Sequence, residues 1–66
     1  MFELKFETTN AAFTDPHGAD DMGALQHETA RILQQVAKRI VNGETAGKVR
    51  DENGNTVGSY KLTPDF

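Results

Sequence analysis

The sequence contains no cysteine and no tryptophan, and Ser59 is its only serine. Without cysteine there is no disulfide to staple a small fold and no thiolate to serve as nucleophile or metal ligand. Ser59 falls in the middle of a predicted strand, where nucleophilic catalysis has nothing to build on. No run approaches the roughly 20 apolar residues that span a bilayer. The first seven residues, Met1 to Glu7, alternate apolar with charged instead of forming the apolar block of a secretory signal. A cytoplasmic protein is expected.

A chain of 66 residues buries only about 60% of its unfolded surface, which supports one domain, 1–66, and a thin core. With no disulfide or metal to reinforce it, self-association is the expected source of further burial, and a homodimer is predicted. The formal charge of −3 argues against a generic polyanion binder. That charge is unevenly spread. Residues 1–30 hold Lys5 against Glu3, Glu7, Asp15, Asp20, Asp21 and Glu28, whereas residues 31–66 hold six bases against four acids.

Phe2, Leu4, Phe6 and Thr8 alternate with Glu3, Lys5 and Glu7, the period of a half-buried strand. From Thr9 to Asp21 the chain is polar and broken by Pro16 and Gly18, which reads as a loop pinned to the core by Phe13. Asp20 or Asp21 is placed to cap a helix running from about Met22 to Asn42. At 100° per residue, Met22, Leu25, Thr29, Ile32, Leu33, Val36, Ala37 and Ile40 share one face. His27, Glu28, Arg31, Gln34, Gln35, Lys38, Arg39 and Asn42 fall on the other, and Gly43 suits a left-handed cap.

The remainder predicts a hairpin, with Gly47 to Asp51 and Thr56 to Leu62 as strands around Asn53-Gly54, the signature of a type I′ turn. A two-residue loop pairs Val49 with Gly58 and gathers Val49, Tyr60 and Leu62 on one face. A three-residue loop with a bulge at Gly54 would pair Val49 with Val57 and send Tyr60 to the other face. The first register is favoured because it collects more apolar surface. The predicted fold is α+β, a two-layer β-α-β-β arrangement with one helix packed on a three-stranded antiparallel-type sheet. Glu3, Lys5, Arg50, Val57 and Ser59 are expected on the uncovered sheet face, and exposed strand edges invite pairing across a two-fold axis.

Two groups of residues carry candidate chemistry. Asp15, His17, Asp20 and Asp21, with His27 nearby, mix oxygen and imidazole donors, but their spacing matches no ligand motif. Turn and cap chemistry accounts for them, so neither a metal nor a cofactor is expected, and the four loop residues are candidates for partner binding. Asp51, Asn53 and Asn55 resemble the opening of a calcium loop, yet glycine falls too early and Leu62 stands where the closing glutamate belongs. The bases Lys48, Arg50 and Lys61 on the hairpin, with Arg31, Lys38 and Arg39 on the helix, are the candidates for holding phosphates. No acid–base constellation forms on these elements, so no enzymatic activity is expected.

Taken together, Ala30-Arg31-Ile32-Leu33, Val36-Ala37, Asn42-Gly43-Glu44 and the hairpin Gly47-Lys48-Val49-Arg50-Asp51 with Asn53-Gly54-Asn55-Thr56-Val57-Gly58 resemble a group of short uncharacterised proteins from phages, prophages and their bacterial hosts. Phe6 to Phe13 fits the same pattern. The resemblance carries structural motifs and no assigned chemistry. It implies a phage or prophage accessory protein, while small size, missing chemistry and uncovered sheet surface predict a non-enzymatic interaction module that binds a protein partner, one version being inhibition of a host or defence protein. In that version, Asp15, Asp20 and Asp21 would imitate nucleic-acid phosphates. A small nucleic-acid-binding protein using the basic hairpin is the alternative.

Overall fold

Alternation, helical periodicity and a glycine turn each produce the element they predict. The computed structural model describes residues 1–13 and 22–66. Strand β1 is Phe2–Phe6, helix α1 is Met22–Val41, strand β2 is Ala46–Arg50 and strand β3 is Thr56–Leu62. The sheet order is β1-β3-β2 with both pairings antiparallel, so the fold is α+β in β-α-β-β order. Between β1 and α1 the chain forms a short 3₁₀ turn, Ala11–Phe13, where an irregular loop was predicted. Thr8 lies beyond the end of β1 and is exposed.

The helix terminates one residue earlier than expected. Gly43 adopts φ +102°, its N–H donates to the Ile40 carbonyl and the Glu44 N–H donates to the Arg39 carbonyl, both at 3.0 Å. Those two bonds are the paired closure of a Schellman cap, which satisfies carbonyls the helix leaves open.

The hairpin combines both registers that the sequence allows. Its loop is the three-residue form: the Gly54 N–H donates to the Asp51 carbonyl at 3.0 Å and the Asp51 N–H to the Asn55 carbonyl at 2.9 Å. Gly54 has φ +86°, while Asn53 keeps a negative φ, so the predicted type I′ turn at Asn53-Gly54 is replaced by a type I turn with a glycine bulge. Beyond the loop a second irregularity restores the favoured register. Arg50 is paired with Thr56 and Val49 with Gly58, leaving Val57 as the extra residue. A bulge rotates its residues relative to the regular alternation, and Val57 is consequently buried in the core instead of lying on the open face as predicted. Tyr60 and Val49 are buried beside it.

The core consists of Ala12, Phe13, Ile32, Val36, Val49, Val57 and Tyr60, with Leu4, Phe6, Leu25 and Ile40 packed against it. Phe13 performs its predicted anchoring role, its ring stacked on Phe6 at a centroid distance of 6.1 Å. The buried stripe of α1 is rotated from the one the sequence predicts: Glu28 is buried with Ile32 and Val36, whereas Met22 and Leu33 are exposed.

Gly58 is required by the close approach of β1. It lies opposite Phe6, and a Cβ built there would overlap the Lys5 carbonyl oxygen and come within 2.6 Å of Phe6 Cα and Cβ. Because the obstruction is mainly backbone, no rotamer change relieves it. Gly58→Ala is expected to cost about 1–3 kcal/mol or more, lowering the thermal midpoint by roughly 4–8 °C per kcal/mol. Ser59→Ala on the open face is expected to leave it unchanged. Equal melting curves for the two variants would refute this account.

Candidate functional site

The helix closes one edge of the sheet with charged side chains. In an antiparallel strand, alternate residues turn their N–H and C=O groups to opposite sides. The Leu62 N–H donates to the Thr45 carbonyl and the Asp51 N–H to the Asn55 carbonyl, so Thr45, Gly47, Val49 and Asp51 face β3. Ala46, Lys48, Arg50 and Glu52 therefore face outward. Arg39 Nη1 donates to the Lys48 carbonyl at 2.7 Å, Arg31 Nη2 donates to the Arg50 carbonyl at 3.0 Å, and the Glu52 N–H donates to Glu28 Oε2 at 2.8 Å. Three side chains of α1 thus occupy three of the hydrogen-bonding groups that an added strand would need.

Each of these side chains is itself held. Glu28 is 1% exposed and receives Arg31 Nε at 2.5 Å and Nη2 at 3.0 Å, a two-pronged ion pair. That bonding to Glu28 raises the Arg31 pKa further above its ordinary value. The Arg39 guanidinium lies 4.9 Å from the centroid of the Tyr60 ring. Its Nε and Nη2 donate to Glu44 Oε1 at 3.1 and 3.0 Å, which holds the Glu44 carboxyl below its usual value. The Tyr60 hydroxyl donates to the same oxygen at 3.4 Å, and burial raises the Tyr60 pKa. Gly47 leaves the space that this guanidinium fills.

Asp51 is a second junction. Only 4% exposed, it accepts the Asn53 and Asn55 N–H groups on Oδ1, both at 2.9 Å, and Asn10 Nδ2 on Oδ2 at 3.0 Å. Asn55 Nδ2 adds a bond at 3.3 Å. The Asn10 bond, followed by those from Asn55 and Asn53, holds its pKa below the ordinary 3.8 against the opposing effect of burial. The aspartate that began a failed calcium loop in the sequence is thus a turn organiser that also reaches the segment after β1. Among the described residues, no three His, Cys, Asp or Glu side chains come together in a way that could hold a metal ion. No buried side-chain polar atom among them lacks a partner.

The predicted phosphate-binding residues separate into two groups. Arg31 and Arg39 are committed to the β2 edge, not solvated on a helix face as the periodicity suggests. The cross-strand pairs put Lys61 beside Glu3 and Ala46, and Ser59 between Lys5 and Lys48. Lys5, Lys48, Arg50 and Lys61 therefore share the open sheet face with Glu3 and Glu7. Lys38 is exposed on α1. The other candidates, Asp15, His17, Asp20 and Asp21, lie outside the described residues.

Apolar surface stays exposed on α1, at Met22, Leu33 and Val41, and also on the β1 side of the sheet. The helix packs chiefly on the 3₁₀ turn and β2. Phe2 and Leu62, paired across β1 and β3 on the helix-side face, stay 46% and 37% exposed. Leu62 was predicted to be core. Sequence reasoning missed this surface because alternation identifies an apolar face without saying how far one helix extends over it. No family model, curated protein or solved structure matches the chain. No helix among the described residues is long and apolar enough to cross a membrane.

Removing Glu28 would leave the Glu52 N–H without its acceptor and the Arg31 guanidinium with the Arg50 carbonyl alone. Glu28→Ala is expected to cost about 1–3 kcal/mol in urea unfolding, against under about 0.5 kcal/mol for an exposed acid such as Glu3→Ala. Similar midpoints for the two would refute the latch.

The Asp51 bonds favour the ionised carboxyl, so their stabilisation is complete above its ordinary pKa and is lost as pH falls through the depressed value. Between about pH 6 and pH 2.5, Asp51→Asn should lose less stability than the wild type. Parallel pH profiles would assign the acid sensitivity to another group.

Proposed function

We propose that the chain is a small non-enzymatic interaction module that meets a protein partner through the β1 side of its sheet. The observation that carries this reading is the exposed pair Phe2 and Leu62 beside a strand that forms one edge of the sheet. Apolar side chains next to unpaired backbone groups suit strand addition, in which main-chain bonds supply affinity and alternate side chains supply selectivity. Resemblance to phage and prophage proteins supports a specific version, an accessory protein whose partner is a bacterial host or defence protein.

A pull-down from bacterial lysate tests the reading with wild type and the double variant Phe2→Lys/Leu62→Lys as baits, both checked for folding by circular dichroism. A protein retained by the wild type and lost on the double variant is expected. Retention of nothing by the folded wild type, or of the same proteins by both baits, would overturn it.

A second reading, nucleic-acid binding, is favoured by the four bases Lys5, Lys48, Arg50 and Lys61 on the open face. Phosphate contacts make affinity fall steeply with salt. Binding to duplex or single-stranded DNA at about 50 mM salt, lost on raising the salt and weakened by Lys48→Ala/Lys61→Ala, is the outcome it requires. No binding at that salt concentration would end it.

A further inference from the structure

The two edges of the sheet are treated differently. On β2, side chains of α1 occupy three of the outward groups, the Lys48 and Arg50 carbonyls and the Glu52 N–H. On β1, the Glu7 N–H donates to the Val57 carbonyl at 2.9 Å and the Thr63 N–H to the Met1 carbonyl at 2.8 Å, so the odd-numbered residues face β3. Phe2, Leu4 and Phe6 consequently turn three N–H and three C=O groups outward. Among the described residues no hydrogen bond reaches these six groups. The strand carries neither proline nor a bulge, two of the devices that usually blunt an exposed edge.

We propose that this edge pairs with β1 of a second copy of the chain in one register, Leu4 opposite Leu4 across a two-fold axis, giving a continuous six-stranded sheet. The proposal rests on the part of the reading above that makes the β1 edge an interaction surface, and it places a second copy of the chain there. Outward groups meet outward groups only when even-numbered residues face even-numbered residues. The register centred on Leu4 is the one that overlaps all of Phe2–Phe6 and satisfies all six groups, with Phe2 opposite Phe6 of the other copy.

The charges select the same register. With Leu4 on the axis, Glu3 faces Lys5 of the second copy, and this occurs twice. A shift of two residues in one direction brings Glu3 opposite Glu3. The same shift in the other direction brings Lys5 opposite Lys5 and Glu3 opposite Glu7. Like charges directly across a strand pair are destabilising, so both neighbouring registers are disfavoured. Glu3 already lies beside Lys61 of its own chain, and the dimer would place it between two lysines. On the helix-side face the exposed Phe2 would lie against Phe6 of the second copy, so the apolar and polar faces both continue across the junction.

Sedimentation of the full chain over a concentration series tests this, with wild type, Glu3→Lys, Lys5→Glu, the swap Glu3→Lys/Lys5→Glu, and an equimolar mixture of the two single variants. The wild type should dimerise, and each single variant should weaken dimerisation about tenfold or more. The swap and the mixture should restore it, because each re-forms both opposite-charge pairs. A wild type monomeric at high micromolar concentration would overturn the proposal. Single variants that dimerise like the wild type would do the same, as would losses that neither the swap nor the mixture repairs.

Amide exchange on the unaltered chain gives an independent reading, since Leu4 and Phe6 N–H exchange should slow as concentration rises. Unchanged exchange in a dimerising protein would place the interface elsewhere. A monomeric chain whose lysate partner is lost on Phe2→Lys/Leu62→Lys would sink the dimer and leave the interaction reading standing. A register-specific dimer that retains no lysate protein would do the reverse.

Discussion

The outward backbone groups of β2 constrain the arrangement of the molecule more than any other feature. A three-stranded sheet under one helix has two edges, and among the described residues α1 reaches the outward groups of one of them. The helix is placed so that Glu28, Arg31 and Arg39 reach the Glu52 N–H and the carbonyls of Arg50 and Lys48. That docking fixes the rotation of α1, which explains why a carboxylate is buried on it while Leu33 is left 49% exposed. It also draws the helix toward β2 and leaves the β1 side thinly covered. The closed edge and the open one are therefore two results of the same placement.

The hairpin shows how a polar turn serves a core. Asp51 organises the loop through the N–H groups of Asn53 and Asn55, and the loop length it sets would misalign the strands by one residue if pairing simply continued. The second bulge removes that error and turns Val57 inward in the process. The core gains a valine that a regular ladder would have left in water. In exchange the strands come together tightly at Gly58, where only glycine fits.

Features that depend on local periodicity were legible in the sequence: α1, its cap at Gly43, the existence of the hairpin, and the anchoring of Phe13. Those settled by contacts distant in sequence were not. Glu28 sits on the polar arc of the helical wheel, and its burial depends on an N–H 24 residues away. Arg31 and Arg39 read as solvated bases because a helix pattern does not report which strand the polar arc lies against, and their acceptors are backbone carbonyls 19 and 9 residues away. The turn type was open to a better reading. Aspartate at the first position and glycine at the fourth favour a type I turn, and Asp51 and Gly54 have that spacing, although Asn53-Gly54 viewed alone suggests its mirror image. The candidate loop residues Asp15, His17, Asp20 and Asp21 fall outside the described part of the structure.

The sheet order also governs when the fold can form. Among the described residues β1 pairs with β3 alone, as in Phe2 with Leu62, whereas α1, β2 and β3 are neighbours along the chain. Closing the longest loop costs the most entropy and comes after local contacts have formed. During synthesis, β1 leaves the ribosome first and must wait until β3 has emerged, with Phe2, Leu4 and Phe6 unpaired on both sides in the meantime. Glu3, Lys5 and Glu7, set between those apolar residues, keep the waiting segment charged at every second position. The alternation that makes β1 half-buried in the folded protein would thus act as its gatekeeper against premature association before folding is complete.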